Sequence, residues 1–392
     1  LVARRRPVGA SQFLSTFTDV QTDGRKAIVC TMGPTPLDEL VQNGQQRLPS
    51  YAEIKKAVPA HCFEKSVPTS LFYMFLDFAI LGALYLAYPT LASFGIVGLL
   101  IYWNVTGIFM SSLFCIGHDC GHGSFSNYVW LNDICGHICH GMILAPYWPW
   151  QKSHRQHHTF HSHLTKDRGH PWITKDDFDQ MSPIYVWIGK MPFSAYFRWF
   201  PIYTVAGIPD GSHFWPWSSM FTTTKERLKC AVSTAVCIFC AYMIYRWFDG
   251  DLAKIASVYL IPLFAHGFWL VMITYLHHQD QDVLIYEEGE WAFLKGAFQT
   301  FDRPYGFGLD QALHHITDGH VAHHLFFTQV PHYHLDEATK AVIKVLEPYG
   351  VYKRRSSWDF LWRFCKLNYE LDYIVRIGKG VFGYPQNRKR ID

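Results

Sequence analysis

Four apolar segments, grouped in two closely spaced pairs, set the strongest constraint on what this chain can fold into. An α-helix needs about 20 mostly apolar residues to cross a bilayer, and each segment approaches that length. Only 17% of the 392 residues are charged, whereas an ordinary soluble domain has about 25%. We therefore predict an all-α integral membrane protein with four transmembrane helices in two hairpins. The predicted spans are residues 71–88, 94–113, 230–247 and 255–276.

Basic residues precede each pair of spans and predict the topology. Lysine and arginine accumulate in cytosolic loops, so both termini and the long middle segment are expected on the cytosolic side. The basic residues are Lys55, Lys56 and Lys65 before the first pair, and Lys225, Arg227 and Lys229 before the second. The predicted regions are a polar cytosolic N-terminal region (1–57), a membrane domain (58–345) and a cytosolic C-terminal region (346–392).

Three histidine clusters lie between and after the spans. Positions i, i+3 and i+4 share one face of a helix, so each cluster can direct its imidazoles at one point. Neutral histidine is the commonest metal ligand and suits iron, zinc, copper and nickel. The clusters follow an even number of spans and so lie on one side of the membrane, as a single site requires. They are His118-Asp119-Cys120-Gly121-His122, His154-Arg155-Gln156-His157-His158 and His320-Val321-Ala322-His323-His324.

Eight histidines in these clusters exceed what one metal ion takes, which implies two ions. His278, just past the fourth span, is a ninth candidate ligand, and His277 beside it is expected to be a bystander. The predicted ligands are His118, His122, His154, His157, His158, His278, His320, His323 and His324. Asp119, His314 and His315 are expected to orient these ligands.

Several ionisable residues lie outside the predicted ligand set. We expect surface or hydrogen-bonded roles for single histidines outside these groups, such as His61, His213, His332 and His334. Asp77 and His266 fall inside predicted spans, where an ionisable group indicates either function or a hydrogen bond between helices.

With two of these clusters between the hydrophobic hairpins and the third after them, the chain resembles membrane fatty acyl desaturases of the methyl-end group, the Δ12 and ω-3 enzymes. It is similar in particular to the nematode Δ12 desaturases. The resemblance covers residues from about 59 to about 383. Gly121 fits the nematode Δ12 enzymes better than the nematode ω-3 enzymes, but plant ω-3 enzymes also have Gly there. The segments that carry it are Trp150–His158, Gly211–Trp217 and His315–His324.

The resemblance implies a cis double bond introduced on the methyl side of an existing one, most simply oleoyl to linoleoyl. It further implies a cytosolic helical cap that holds a non-haem di-iron centre, dioxygen as co-substrate, and residence in the endoplasmic reticulum membrane. Electrons would come from cytochrome b5 and its NADH-dependent reductase. The sequence contains no His-Pro-Gly-Gly motif of a fused cytochrome b5 domain, so we expect the donor to be a separate protein.

Four basic residues in and beside the second cluster could steer an acidic cytochrome. They are Lys152, Arg155, Lys166 and Arg168. The alternative is that they contact phosphate on a lipid headgroup or on the acyl carrier. The net charge of +3 does not indicate a nucleic-acid partner.

The reaction expected from the resemblance restricts which kind of group can catalyse it. A saturated acyl chain has no polarised bond for acid–base or nucleophilic groups to attack, so an oxidising metal cofactor must carry the reaction. An acyl hydroxylase on the same scaffold stays an alternative, as does an ω-3 desaturase. A metal transporter is a rival of another class, but it would place its ligands near the bilayer midplane. A zinc hydrolase is a further rival, but it needs only three protein ligands and a water molecule, fewer than the eight clustered histidines.

Overall fold

The computed structural model describes residues 19–22, 25–28, 47–170, 172–355 and 358–385. The chain divides into two compact units, Leu1–Leu48 and Pro49–Asp392. In the first unit, strands β1 (Asp19–Thr22) and β2 (Arg25–Ile28) pair in an antiparallel hairpin. The second unit contains all the predicted spans and histidine clusters.

The described part of the second unit is mostly helical, which confirms the predicted fold class. Its α-helices are α1 (Tyr51–Ala57), α2 (Val67–Ser93), α3 (Gly95–His122), α4 (Val129–Gly141), α5 (Tyr147–Thr159), α6 (Lys175–Asp179), α7 (Pro183–Lys190), α8 (Ala195–Phe197), α9 (Thr224–Trp247), α10 (Leu252–Ile255), α11 (Ile261–His278), α12 (Phe293–Ala297), α13 (Leu309–Ala312), α14 (His320–Phe326), α15 (Leu335–Leu346) and α16 (Phe360–Glu370). Single 3-10 turns lie at Ala60–Phe63, Pro192–Ser194, His332–His334 and Glu347–Tyr349, and π-helical turns at Arg198–Ala206 and Ala256–Leu260.

Four helices in the described residues are long and apolar enough to cross a membrane: α2, α3, α9 and the continuous Leu252–His278 segment that ends in α11. Each is longer than the predicted span. Hydropathy falls where polar side chains enter the terminal turns, but the backbone hydrogen bonds of the helix continue through them. The last turn of α3, for example, carries His118 and His122.

Helices α3 and α11 form the inner pair. In the apolar windows of α3 and of Leu252–His278, 56% of the residues are buried, against 17% for α2 and α9. Gly107 lets the two inner helices approach closely, since a Cβ atom there would lie 2.7 Å from the Cβ atom of Ala265. Burial of a helix on all sides indicates a core position, and this pairing brings His118, His122 and His278 to the same end of the unit.

A small antiparallel sheet joins the C-terminal region to the segment after α11. It has the order β3–β5–β4, formed by β3 (Leu284–Tyr286), β5 (Val381–Gly383) and β4 (Val375–Gly378). Ile285 and Phe382 belong to the same buried cluster as Leu276 of α11 and Phe364 of α16. The sequence analysis did not predict these strands, because three or four residues are too few for an alternating pattern to be recognised.

Candidate metal centre

The ends of α3 and α11 and the helices α5 and α14 bring the predicted ligands into one cluster. Five of these side chains form the first group, in which one ligand atom from each lies within 4.8 Å of all the others: His118, His122, His154, His158 and His323. Nε2 of His158 lies 3.1 Å from Nε2 of His154 and 3.1 Å from Nε2 of His323. The first group therefore draws on three separate helices.

The second group is centred on His278. Its Nε2 atom lies 3.2 Å from Nε2 of His157 and 3.1 Å from Nε2 of His320. Two overlapping sets of ligand atoms meet there, His157 with His161 and His278, and His278 with His320 and His324. All these residues are buried.

Adjacent histidines on one helix belong to different groups. On α5, His154 and His158 are four residues apart and belong to the first group, whereas His157 belongs to the second. On α14 the arrangement is reversed, with His320 and His324 in the second group and His323 in the first. Each helix thus contributes an i, i+4 pair to one group and a neighbouring residue to the other.

The side chains fit a pair of metal ions. Burial, followed by the charges of neighbouring histidines, lowers the pKa of five imidazoles well below the ordinary range, so these rings are neutral, as metal ligation requires. They are His154, His158, His320, His323 and His324. Neither ring nitrogen of His324 has a hydrogen-bond partner in the described part of the chain. Buried polar atoms are normally paired, so the two unpaired nitrogens of this imidazole fit a role in metal binding.

Asp167 holds His157 from outside the cluster. Its Oδ1 atom lies 2.7 Å from Nδ1 of His157, and its Oδ2 atom accepts a hydrogen bond from the Ser162 amide at 2.9 Å. Burial alone would raise the pKa of Asp167, but His157 and His161 outweigh it and lower the pKa to about 2. The sequence analysis missed both Asp167 and His161. His161 lies four residues after His157, but α5 ends at Thr159, so helical spacing gave no reason to include it.

Asp119, on α3, contacts both the predicted ligand His118 and the more distant His332. Its Oδ1 atom lies 3.7 Å from Nδ1 of His118, and its Oδ2 atom lies 2.9 Å from Nδ1 of His332 and accepts the His332 amide at 3.0 Å. The hydrogen-bonded role expected for His332 is confirmed by this contact, which spans 213 residues of sequence.

The other two residues expected to orient the ligands, His314 and His315, each contact a carboxylate. Nε2 of His314 lies 2.8 Å from Oδ2 of Asp77, within an interhelical network that includes Ser112. Nδ1 of His315 lies 3.1 Å from Oδ1 of Asp318, and this hydrogen bond raises the pKa of His315.

The expected bystander, His277, is held by backbone atoms. Its two ring nitrogens face the carbonyl oxygens of Ile273 and Thr317, at 2.6 and 2.7 Å.

The four predicted docking residues occupy different surroundings. Lys152 pairs with Glu226, and Lys166 pairs with Glu288. Lys152 and Arg155 line a groove of about 210 Å³, whereas Arg168 lines a different and larger cavity.

That larger cavity, of about 460 Å³, lies beside the histidines. His154 and His157 form part of its wall. Its other lining is mainly aromatic and aliphatic, including Phe114, Trp150, Trp172, Trp199, Ile202 and Leu270, with a few polar side chains such as Arg168, Gln279 and Asp372. An apolar cavity with a few polar groups suits a ligand that is mostly hydrocarbon.

Comparisons with known proteins agree with this arrangement. Residues 95–357 match the family model described as fatty acid desaturase. The Delta(12) fatty acid desaturase fat-2 of Caenorhabditis elegans is 51% identical over 343 residues, which cover 86% of this chain and 91% of that protein. The omega-3 fatty acid desaturase fat-1 of the same organism is 47% identical over 344 residues, 86% of this chain and 85% of the other. The omega-6 fatty acid desaturase, endoplasmic reticulum, of Brassica juncea is 33% identical, with 93% of this chain and 95% of that protein covered.

Proposed function

The chain belongs to the fatty acid desaturase family and is a membrane oxidoreductase that acts on fatty acyl chains, and from this premise we propose that it introduces a cis Δ12 double bond, converting oleoyl to linoleoyl. The observation that carries the proposal is the apolar cavity whose wall includes His154 and His157. The choice of Δ12 is supported by the 51% identical Delta(12) relative. An ω-3 activity is the second candidate, because a relative of that name is 47% identical.

The proposed cofactor is a pair of iron ions, one in each histidine group. Support comes from the neutral, buried imidazoles and from the two sets of converging ligand atoms. Bound iron would supply, with dioxygen, the oxidising power needed to remove hydrogen from an unactivated C–H bond. In the overall reaction the two hydrogen atoms lost by the acyl chain combine with dioxygen, two electrons and two protons to form two water molecules.

The chain's own residues position the ligands and the substrate. Asp167 fixes the ring of His157 through Nδ1, so that Nε2 points toward His278. A carboxylate in this position sets both the tautomer and the orientation of a ligating histidine. The cavity wall would hold the acyl chain in an extended or bent path and keep water from it, so that one carbon pair faces His154 and His157.

The proposed electron donors are cytochrome b5 and NADH–cytochrome b5 reductase, and the proposed location is the endoplasmic reticulum membrane with both termini in the cytosol. The location is supported by the name of the Brassica juncea relative and the topology by the basic residues before each helical hairpin. Lys152 and Arg155 in the smaller groove are the proposed contacts for an acidic donor.

The test is expression in a yeast strain that makes monounsaturated but no polyunsaturated fatty acids, followed by gas chromatography–mass spectrometry of the lipids. We expect a linoleate peak that disappears in His157→Ala and persists in His137→Gln. His137 is a suitable control because its Nε2 atom faces Ser233, at 3.0 Å, rather than the cluster.

Three other outcomes would change or contradict the proposed activity. A hydroxylated acyl chain would assign hydroxylation. α-Linolenate formed from added linoleate, without linoleate formed from oleate, would assign ω-3 activity. Absence of any new product from well-expressed protein would contradict the proposal.

A further inference from the structure

Four side chains with metal-binding atoms converge at a second place, away from the histidine groups described above. They come from two segments, the 3-10 turn Ala60–Phe63 before the first membrane helix and the region around the start of α15. One potential ligand atom from each lies within 4.8 Å of all the others. The four residues, here called the HCHE cluster, are His61, Cys62, His334 and Glu337.

The distances between potential ligand atoms in the HCHE cluster are close to those between the ligands of a metal ion. Nε2 of His61 lies 2.8 Å from Oε2 of Glu337 and 3.8 Å from Sγ of Cys62. Ligand atoms around a tetrahedral zinc ion lie roughly 3–4 Å apart, given zinc–ligand bonds of about 2.0–2.3 Å. Small side-chain movements would therefore be enough to surround an ion.

The ligand types of the cluster favour zinc over calcium, magnesium and ferrous iron. Cysteine sulfur, two imidazoles and one carboxylate are the ligand types that Zn²⁺ takes, and four protein ligands are typical of a structural zinc site. The thiolate of Cys62 and the carboxylate of Glu337 would balance the charge of the ion. Calcium and magnesium prefer an all-oxygen set, and zinc binds such mixed sites more tightly than ferrous iron.

Contacts around the cluster hold the two segments against each other. The Phe63 ring packs edge-on against Phe326, with 5.5 Å between ring centroids. The Ser66 amide donates a hydrogen bond to the hydroxyl of Tyr333 at 2.7 Å. Cys62 is fully buried in this contact, whereas the side chains of His61 and Glu337 are about half exposed. The exposed side gives an ion a route to the buried thiol.

We propose that the HCHE cluster binds a structural zinc ion that fastens the segment before the first membrane helix to α15. Binding releases the thiol proton of Cys62 to water and replaces the hydrogen bond between His61 and Glu337 with two metal bonds. The ion would also restrain the turn that carries His332, the hydrogen-bond partner of Asp119. This inference does not depend on the proposed acyl specificity or on the histidine groups.

The test is the zinc and iron content of the full-length chain, purified in detergent and measured by inductively coupled plasma mass spectrometry. We expect Cys62→Ser, His334→Gln and Glu337→Gln each to lose one zinc equivalent per chain while keeping the iron content of the unmodified protein. The matched cysteine control is Cys365→Ser on α16, which we expect to keep its zinc. If Cys62→Ser fails to fold, the exposed Glu337→Gln decides the question.

Cobalt provides a direct signature of the thiolate ligand. With Co²⁺ in place of zinc, we expect a near-ultraviolet thiolate-to-cobalt charge-transfer band in the unmodified protein and in Cys365→Ser, but not in Cys62→Ser. Equal zinc content in the unmodified protein, Cys62→Ser and Glu337→Gln would overturn the proposal. Loss of zinc from Asp336→Asn instead would assign the ion to the neighbouring His315–Asp318–Asp336 group and overturn it as well.

Discussion

Oδ1 of Asp167 lies 2.7 Å from Nδ1 of His157, and Nε2 of the same ring lies 3.2 Å from Nε2 of His278. The buried carboxylate thus fixes one nitrogen of the imidazole, and the other nitrogen faces His278 within the second histidine group. The two contacts join the loop after α5 to the end of α11, and they make Asp167 the clearest outer support of the proposed metal centre.

We expect Asp167→Asn to reduce iron affinity by about 10–100-fold, because the amide cannot hold His157 as a carboxylate does. The measurement is iron retained per chain during titration with a chelator, alongside linoleate production. Asp176→Asn, an exposed carboxylate on α6, is the matched control. Unchanged iron retention in Asp167→Asn would show that the hydrogen bond has no role in ligation.

Filling the cavity beside His154 and His157 should block the acyl chain without disturbing the metal ligands. We expect Leu270→Trp to reduce linoleate production at least about tenfold, because the larger ring occupies space in a wall that Leu270 lines. Iron content should stay the same. Ile238→Trp, on the exposed face of α9, controls for a bulky ring in a membrane helix. Full activity in Leu270→Trp would place the acyl chain elsewhere.

The positions of Arg155 and Arg168 predict different effects of their substitution on electron delivery and on substrate binding. Arg155 lines the smaller groove, whereas Arg168 lines the large cavity. We expect Arg155→Gln to slow reduction by cytochrome b5 and to weaken its dependence on ionic strength, because steering by opposite charges is screened by salt.

Arg168→Gln should instead raise the KM for the acyl substrate and leave the rate of reduction by cytochrome b5 unchanged. Stopped-flow reduction and steady-state assays in detergent measure the two quantities. If Arg155→Gln left the rate of reduction unchanged at low salt, the proposed docking role of this groove would be wrong.

Asp302 should make the stability of the chain depend on pH. Burial raises the pKa of its carboxyl to about 7 from an ordinary 3.8, while the carboxyl accepts hydrogen bonds from the Val321 amide and the Tyr352 hydroxyl. Between about pH 4 and pH 7 the unfolded chain is ionised at this position and the folded chain is protonated. Asp302 therefore makes folding less favourable as the pH rises through this window.

Because asparagine cannot ionise, we expect Asp302→Asn to reduce this loss of stability by about 1–3 kcal/mol between pH 4 and pH 7. Thermal unfolding in detergent, compared with the unmodified protein at each pH, provides the measurement. Asp179→Asn, exposed on α6, is the control. Parallel pH profiles for Asp302→Asn and the unmodified protein would contradict the assignment.

Much of the fold and of the candidate site was predictable from short stretches of sequence. Runs of apolar residues predicted all four long helices, because hydrophobicity and length are local properties. The i, i+3 and i+4 spacing predicted that each cluster directs its imidazoles at one point; the structure brings the three clusters together but divides the second and third between two groups. The family resemblance, confirmed by the comparisons, rests on the same clusters. Sequence spacing did not divide the histidines into two groups, because the different directions of His157 and His158 on α5 do not reveal which histidines of other helices each will meet.

The sequence by itself thus determined which segments are helices that can cross a membrane and which imidazoles can share a helix face. The tertiary structure alone decided that His161 and Asp167 support the second group, that His332 reaches Asp119, and that His61 and Cys62 meet Glu337. The physical reason is the distance along the chain. Nε2 of His157 and Nε2 of His278 are 121 residues apart in sequence, and His61 and Glu337 are 276 apart. Such contacts depend on how helices cross and pack, which no local pattern specifies.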